Sequence, residues 1–218
     1  MQAIGFRHFA KQSPNHLALA APDGRHWSRG ELLAECDRLV MNQSGSSPRQ
    51  HASTGASLPN SAGLVAIALA FQIESPEQSM IDPPQALEKA RARMLPLGIQ
   101  PDTLNVHYCV SPGSDTDSLD WALASLYFGH PVVLADEWNA LHMLRDIERY
   151  RVTSLYLSEE CAREFMCLTG DFCERYDTSS MRHLVVNGTI EHSKDNQPLY
   201  TWFDLPPGEH VERQLSIL

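Results

Sequence analysis

Four short apolar runs decide the fold: Val106-His107-Tyr108-Cys109, Val132-Val133-Leu134-Ala135, Ser154-Leu155-Tyr156-Leu157 and His183-Leu184-Val185-Val186. All lie between Asn105 and Val186, and each gap between them carries a helical pattern. Strands that alternate with helices predict crossover connections, because two parallel strands cannot be joined by a tight turn. The expectation is an α/β fold: a mostly parallel sheet covered by helices on both faces.

Working outward toward the amino terminus, Gly5 to Gln12 predicts a short amphipathic helix with Phe6 and Phe9 on its apolar face, ended by Pro14. Leu17 to Ala21 and the residues around His26-Trp27 read as two strands joined by Pro22-Asp23-Gly24. In that turn Pro presets φ and Gly accepts a positive φ. Ser28 followed by Glu31 is a capping box for a helix running to about Met41, with Leu32, Leu33 and Leu39 on its buried side. Residues 42–60 are rich in Ser, Gly, Gln and Pro and read as a loop. Helix 62–73 is apolar on almost every side, which predicts burial. After a proline-rich break comes a helix from Gln85 to Leu95 with Glu88, Lys89, Arg91 and Arg93 on one face.

The 218 residues are expected to form a single α/β domain, with helices and a short hairpin in 1–75, the βαβ core in 76–190 and a polar tail in 191–218. The 17 basic residues against 27 acidic ones give a net charge of −10, which argues against binding nucleic acid or an anionic membrane. The longest apolar run, Leu64 to Phe71, is too short to span a bilayer. Five cysteines, Cys36, Cys109, Cys161, Cys167 and Cys173, contain no C-x-x-C pair. Free thiols in a reducing cytoplasm are expected, and no metal cluster. Cys109 reads as a small core residue at the end of a strand, and His107 as a hydrogen-bonded interior or edge residue of the same strand. Asp115-Thr116-Asp117 reads as the cap of the helix from Thr116 to Phe128 rather than a cation site. His142 and Asp146 stand four apart, as in a His-x-x-x-Asp acyltransferase pattern, but a solvated pair on a surface helix is the preferred reading. No Gly-x-Ser-x-Gly elbow is present.

Several motifs occur together in order: Pro22-Asp23-Gly24, Trp27-Ser28 and Gly30-Glu31-Leu32-Leu33; Leu58-Pro59-Asn60-Ser61; Leu97-Gly98-Ile99-Gln100-Pro101-Asp102; Ser111-Pro112; Trp121-Ala122-Leu123-Ala124-Ser125-Leu126; Phe128-Gly129-His130-Pro131-Val132-Val133-Leu134; Ile147 to Thr153; and Ser180 to Val185. In this order the chain resembles the amino-terminal part of the adenylate-forming acyl-CoA synthetases, as a truncated and degenerate member. The resemblance implies that Trp121 and Ser125 line a wall of the acyl tunnel and that Asn187 and Gly188 form its floor. Trp121 as core packing and Asn187-Gly188 as a plain turn stay open beside that.

The departures matter as much. Such synthetases hold ATP with a Ser/Thr-Gly-Thr-Thr-Gly-x-Pro-Lys-Gly loop, whose amides and lysine neutralise the polyphosphate. No segment has that form, and the chain has three lysines, Lys11, Lys89 and Lys194. Asn42 to Arg49 echoes the loop without its second Gly and its Lys. Ser114-Asp115-Thr116 replaces the family's aromatic-His-Thr turn, and Asn187-Gly188-Thr189 its Gly-Ala turn. The Tyr-x-x-Thr-Glu signature and the lobe with the catalytic lysine are missing. Adenylation needs charge neutralised at the α-phosphate. The expectation is therefore a non-catalytic protein without cofactor, catalytic residue or metal. It would bind a small acyl or aromatic molecule and associate as a homo-oligomer or with a protein partner. The alternative is an acyl-CoA ligase or acyl-thioester hydrolase completed by a second chain.

Overall fold

A computed structural model of the protein describes residues 5–43, 60–72, 84–111, 115–168 and 175–187. Its elements, in chain order, are α1 (Phe6–Gln12), β1 (Leu17–Ala20), β2 (His26–Ser28), α2 (Arg29–Gln43), α3 (Asn60–Gln72), α4 (Pro84–Met94), β3 (His107–Val110), α5 (Thr116–Tyr127), β4 (Val132–Ala135), α6 (Ala140–Tyr150), β5 (Ser154–Ser158), α7 (Glu159–Met166) and β6 (His183–Asn187). The expected strands and helices are present, with ends moved by a residue or two. The loop expected over 42–60 and the tail from 191 fall almost wholly outside the described residues.

The six strands form one sheet in the order β2-β1-β4-β3-β5-β6. Every pairing is parallel except β1 with β2, the hairpin turned at Gly24 with φ +86°. The hairpin thus extends the crossover sheet through Leu19 beside Val132, a link no local pattern specifies.

Side-chain alternation along the strands sorts the core into two layers. Cys109, Val132, Leu134, Tyr156 and Val185 face one side, where α1 to α5 supply Phe6, Leu32, Cys36, Val65, Leu69, Met94, Trp121 and Leu126. Tyr108, Val110, Val133, Leu155, Leu157 and Leu184 face the other, covered by Met143, Leu144 and Ile147 of α6 and by Ala162 and Phe165 of α7. On α6 the buried residues are Ala140, Met143, Leu144 and Ile147. That i, i+3, i+4, i+7 spacing makes one apolar stripe, and fully burying each large side chain contributes about 1.5–3 kcal/mol.

The helix ends follow from side-chain chemistry. Ser28 Oγ accepts from the Glu31 N–H at 3.2 Å while Glu31 Oε2 accepts from the Ser28 N–H at 2.8 Å, closing the expected capping box. Asn139 caps α6 through the His142 N–H, and Ser158 caps α7 through the Cys161 N–H. Asp146 does not pair with His142. It takes Arg145 Nε at 3.3 Å instead.

Candidate functional site

The helix after β3 (α5) and the helix after β5 (α7) cover opposite faces of the sheet, yet β3 and β5 are neighbours. Between two such strands the chain diverges at their carboxyl ends and leaves a crevice, the usual ligand position in open α/β sheets. A cleft of about 610 Å³ opens there. Val110 and Ser111 border it from β3, Tyr156, Leu157 and Ser158 from β5, and Trp138 from the turn between β4 and α6.

Its rim is shaped by capping interactions. Asp115 Oδ1 accepts from the N–H of Asp117 at 2.9 Å and of Ser118 at 3.3 Å, so the expected cap of α5 is in place and one cleft carboxylate is held still. Ser118 Oγ donates to the Val110 carbonyl at 2.6 Å, tying the start of α5 to the end of β3. Ser111 has φ +45° and donates its hydroxyl to the Asp136 carbonyl at 3.1 Å, which fixes the β3 exit against the β4 exit.

On the far side, α7 brings Glu160, Cys161 and Glu164 to the cleft. Three carboxylates, those of Asp115, Glu160 and Glu164, therefore line it, and no Arg, Lys or His stands among its described lining residues. Burial raises the Cys161 thiol above its ordinary pKa against the opposing hydrogen bond from Ser158. A protonated thiol is a poor nucleophile at neutral pH. Among the described residues, no group of three His, Cys, Asp or Glu is placed to hold a metal.

Behind the cleft stands an aromatic stack. Trp121 lies parallel to Tyr156 with ring centroids 6.3 Å apart and 22° between planes, and against His107 at 6.3 Å and 29°. Trp121 is 5% exposed, and Ser125 is fully buried with its hydroxyl donating to the Trp121 carbonyl at 3.0 Å. The structure puts both behind Tyr156, in the α5 layer, rather than in the described cleft lining. Asn187 ends β6 in register with Ser158 at the same edge, while Gly188 lies outside the described residues. The sequence places a pocket at the carboxyl ends of the strands, the Ala135–Trp138 turn among them, but singles out neither Trp138 nor Tyr156 as a ligand contact. An aromatic residue in a βα turn and one near the carboxyl end of a strand are the only marks they leave.

At the opposite end of the sheet the strands start in a buried polar network. His107 Nδ1 lies 3.1 Å from Ser154 Oγ, and Asn105 bridges His130 Nδ1 at 3.3 Å and the Thr153 hydroxyl at 2.7 Å. Burial, and then the nearby His130, brings His107 down to about 3; burial brings His130 down to about 4. Both rings are neutral and structural. Among the described residues no helix is long and apolar enough to cross a membrane.

The sequence matches no protein-family model and no curated protein. The structure, however, is similar to solved ones. Unliganded O-succinylbenzoate coenzyme A synthetase (MenE) from Bacillus subtilis aligns with a TM-score of 0.64 at 16% identity, over 92% of this chain and 59% of that one. The same enzyme in complex with ATP and magnesium ion gives 0.62 at 15% identity, over 86% and 55%. The N-terminal subdomain of Klebsiella oxytoca NpsA gives 0.57 at 14% identity, over 93% and 71%. The chain thus spans somewhat over half the length of the MenE structures, and identities this low speak to architecture alone. The fold of this protein is that of the α/β amino-terminal domain of the acyl-CoA synthetases.

Proposed function

We propose that the protein is a synthetase-like binding module, without adenylating activity of its own, that takes the uncharged body of a small acyl or aromatic molecule in the cleft between β3 and β5. The observation that carries this reading is the cleft lining: Trp138 and Tyr156 offer aromatic surface, and Asp115, Glu160 and Glu164 offer only negative charge. A polyphosphate gains nothing there and is repelled, whereas an apolar body gains about 25 cal/mol for each Å² it buries. The described lining of this cleft does not fit ATP with magnesium, which the MenE complex holds. Trp121 and Ser125 serve this site as its backing, through Tyr156, and we assign Asn187, in register with Ser158, to the same edge.

Association with a second copy or another chain belongs to the same reading. Leu104 is fully exposed and Leu95 42% exposed, which offers apolar contact surface.

Two measurements test the proposal. Benzamide, benzoate and ATP are titrated into the purified protein by calorimetry, and pyrophosphate release is followed with ATP, magnesium and a panel of acyl and aryl acids. Benzamide binding that Tyr156→Ala weakens, stronger than any benzoate binding that depends on Tyr156, with no pyrophosphate released, supports the reading. Saturable ATP binding with pyrophosphate release overturns it. Sedimentation velocity checks association, and a monomer at every concentration removes that part.

A further inference from the structure

A second cleft, of about 490 Å³, lies on the α6 side of the sheet, between the β1–β2 turn, the ends of β3 and β4, and the first three turns of α6. We infer that it is a binding site for a small planar anion, an aromatic ring carrying one carboxylate or phosphate, held by Tyr108, Trp138 and Arg149.

The donors come first. Tyr108 is 1% exposed and lines the cleft from the middle of β3. Burial and the neighbouring Asp146 carboxylate push its phenol well above the ordinary range, so it offers a proton at any working pH. The indole Nε1–H of Trp138 is buried without a partner. An unpaired buried polar group is destabilising, so the Trp138 N–H, beside this cleft, favours an acceptor there. The charges follow. The Arg149 guanidinium stands 5.1 Å over the Tyr150 ring and has no carboxylate partner among the described residues, while Arg145 neutralises Asp146. Asn139 and Trp138 bring the amino end of the 11-residue α6 to the same cleft, where first-turn N–H groups favour negative charge. Asp136 and Glu137 also line it, but both are exposed, and water screens their repulsion more than it weakens the buried donors. The rings of Tyr108, Trp138 and Tyr150 supply flat walls, which selects a planar ligand body.

The site is separate from the cleft between β3 and β5 except for Trp138, and it stands whether or not the proposed function does. The test follows the Trp138 indole N–H resonance, identified by its loss in Trp138→Phe, while ¹⁵N-labelled protein is titrated with benzoate, phenyl phosphate or phenol. The expected result is a saturable shift with benzoate or phenyl phosphate and none with phenol. The stronger of the two anions tells carboxylate from phosphate. Arg149→Ala, an exposed substitution that leaves the core alone, should weaken binding about tenfold or more, the worth of one charge-assisted bond, and Tyr108→Phe severalfold. Glu164→Gln, in the other cleft, should leave it unchanged. No saturable shift with either anion, equal shifts with phenol, or full affinity in Arg149→Ala each overturns the inference.

Discussion

Gly129 meets the face of Phe9: a Cβ built on Gly129 would stand 2.8 Å from Phe9 Cγ and 2.9 Å from Cδ1. Gly129 also has φ +80°, and its carbonyl accepts the Arg29 guanidinium that enters from the start of α2. The α5–β4 turn is therefore closed by three parts of the chain at once. Gly129→Ala combines left-handed strain with overpacking and is expected to cost about 2–4 kcal/mol. Urea unfolding measures it. In a Phe9→Ala background the same substitution should cost less, since only the backbone strain remains, and an equal cost in both backgrounds would refute the contact.

Acid lability should come from the amino end of the sheet. His107 and His130 are neutral in the fold at about 3 and about 4, below the ordinary value of 6.5. A depressed histidine binds more protons unfolded than folded. Its contribution is complete above pH 6.5 and is lost as pH falls from there toward the folded values. Each group then costs about 1.4 kcal/mol per pH unit, or about 2 kcal/mol between pH 7 and pH 5. Urea midpoints at the two pH values check this, and His107→Gln should remove roughly half of the difference. A midpoint unchanged from pH 7 to pH 5 would contradict the buried neutral pair.

How far the sequence carried can be judged on particular residues. β3 to β6 and α6 were legible because the short apolar runs of the strands and the Ala140, Met143, Leu144, Ile147 stripe are local patterns. The caps at Ser28 and Asp115 were legible because their donors lie two or three residues away. The neighbour of β1 was not: Leu19 meets Val132 across more than a hundred residues, and nothing within either strand names the other. Trp121 shows the limit for the site. Its helix and its buried face could be read, but whether it touches a ligand or backs Tyr156 depends on where β5 stands. For Trp138 the Ala135–Trp138 turn could be placed at the ligand side of the sheet, but a turn aromatic has no periodicity to betray the direction of its ring.

Asp115 separates capping from cleft charge. Asp115→Ala should destabilise by about 1 kcal/mol through loss of the α5 cap, whereas Asp115→Asn keeps an accepting oxygen and should cost only a few tenths. Thermal melts of the two variants read the cap. If the cleft carboxylates set its preference, both substitutions should also narrow the gap between benzamide and benzoate affinity. Retention of the full gap would assign the preference to Glu160 and Glu164 alone.

Arg93 is the clamp between α4 and the aromatic stack. Its Nη2 lies 2.7 Å from Asp120 Oδ2 and 3.3 Å from Asp117 Oδ1, and its guanidinium stands 5.6 Å over the Trp121 ring. The guanidinium is 18% exposed, its partners 28% and 36%, so part of the ion-pair energy is screened by water. Arg93→Ala is expected to cost about 1–3 kcal/mol, and Arg93→Lys to recover less than half, because an ammonium cannot bridge two carboxylates and lie flat on an indole together. Trp121 touches Tyr156, so the loss should propagate: near-ultraviolet circular dichroism should weaken in Arg93→Ala at temperatures where far-ultraviolet signal is intact. A variant that loses stability with an unchanged aromatic spectrum would place Arg93 in the α4–α5 contact alone, with no bearing on the wall behind the cleft.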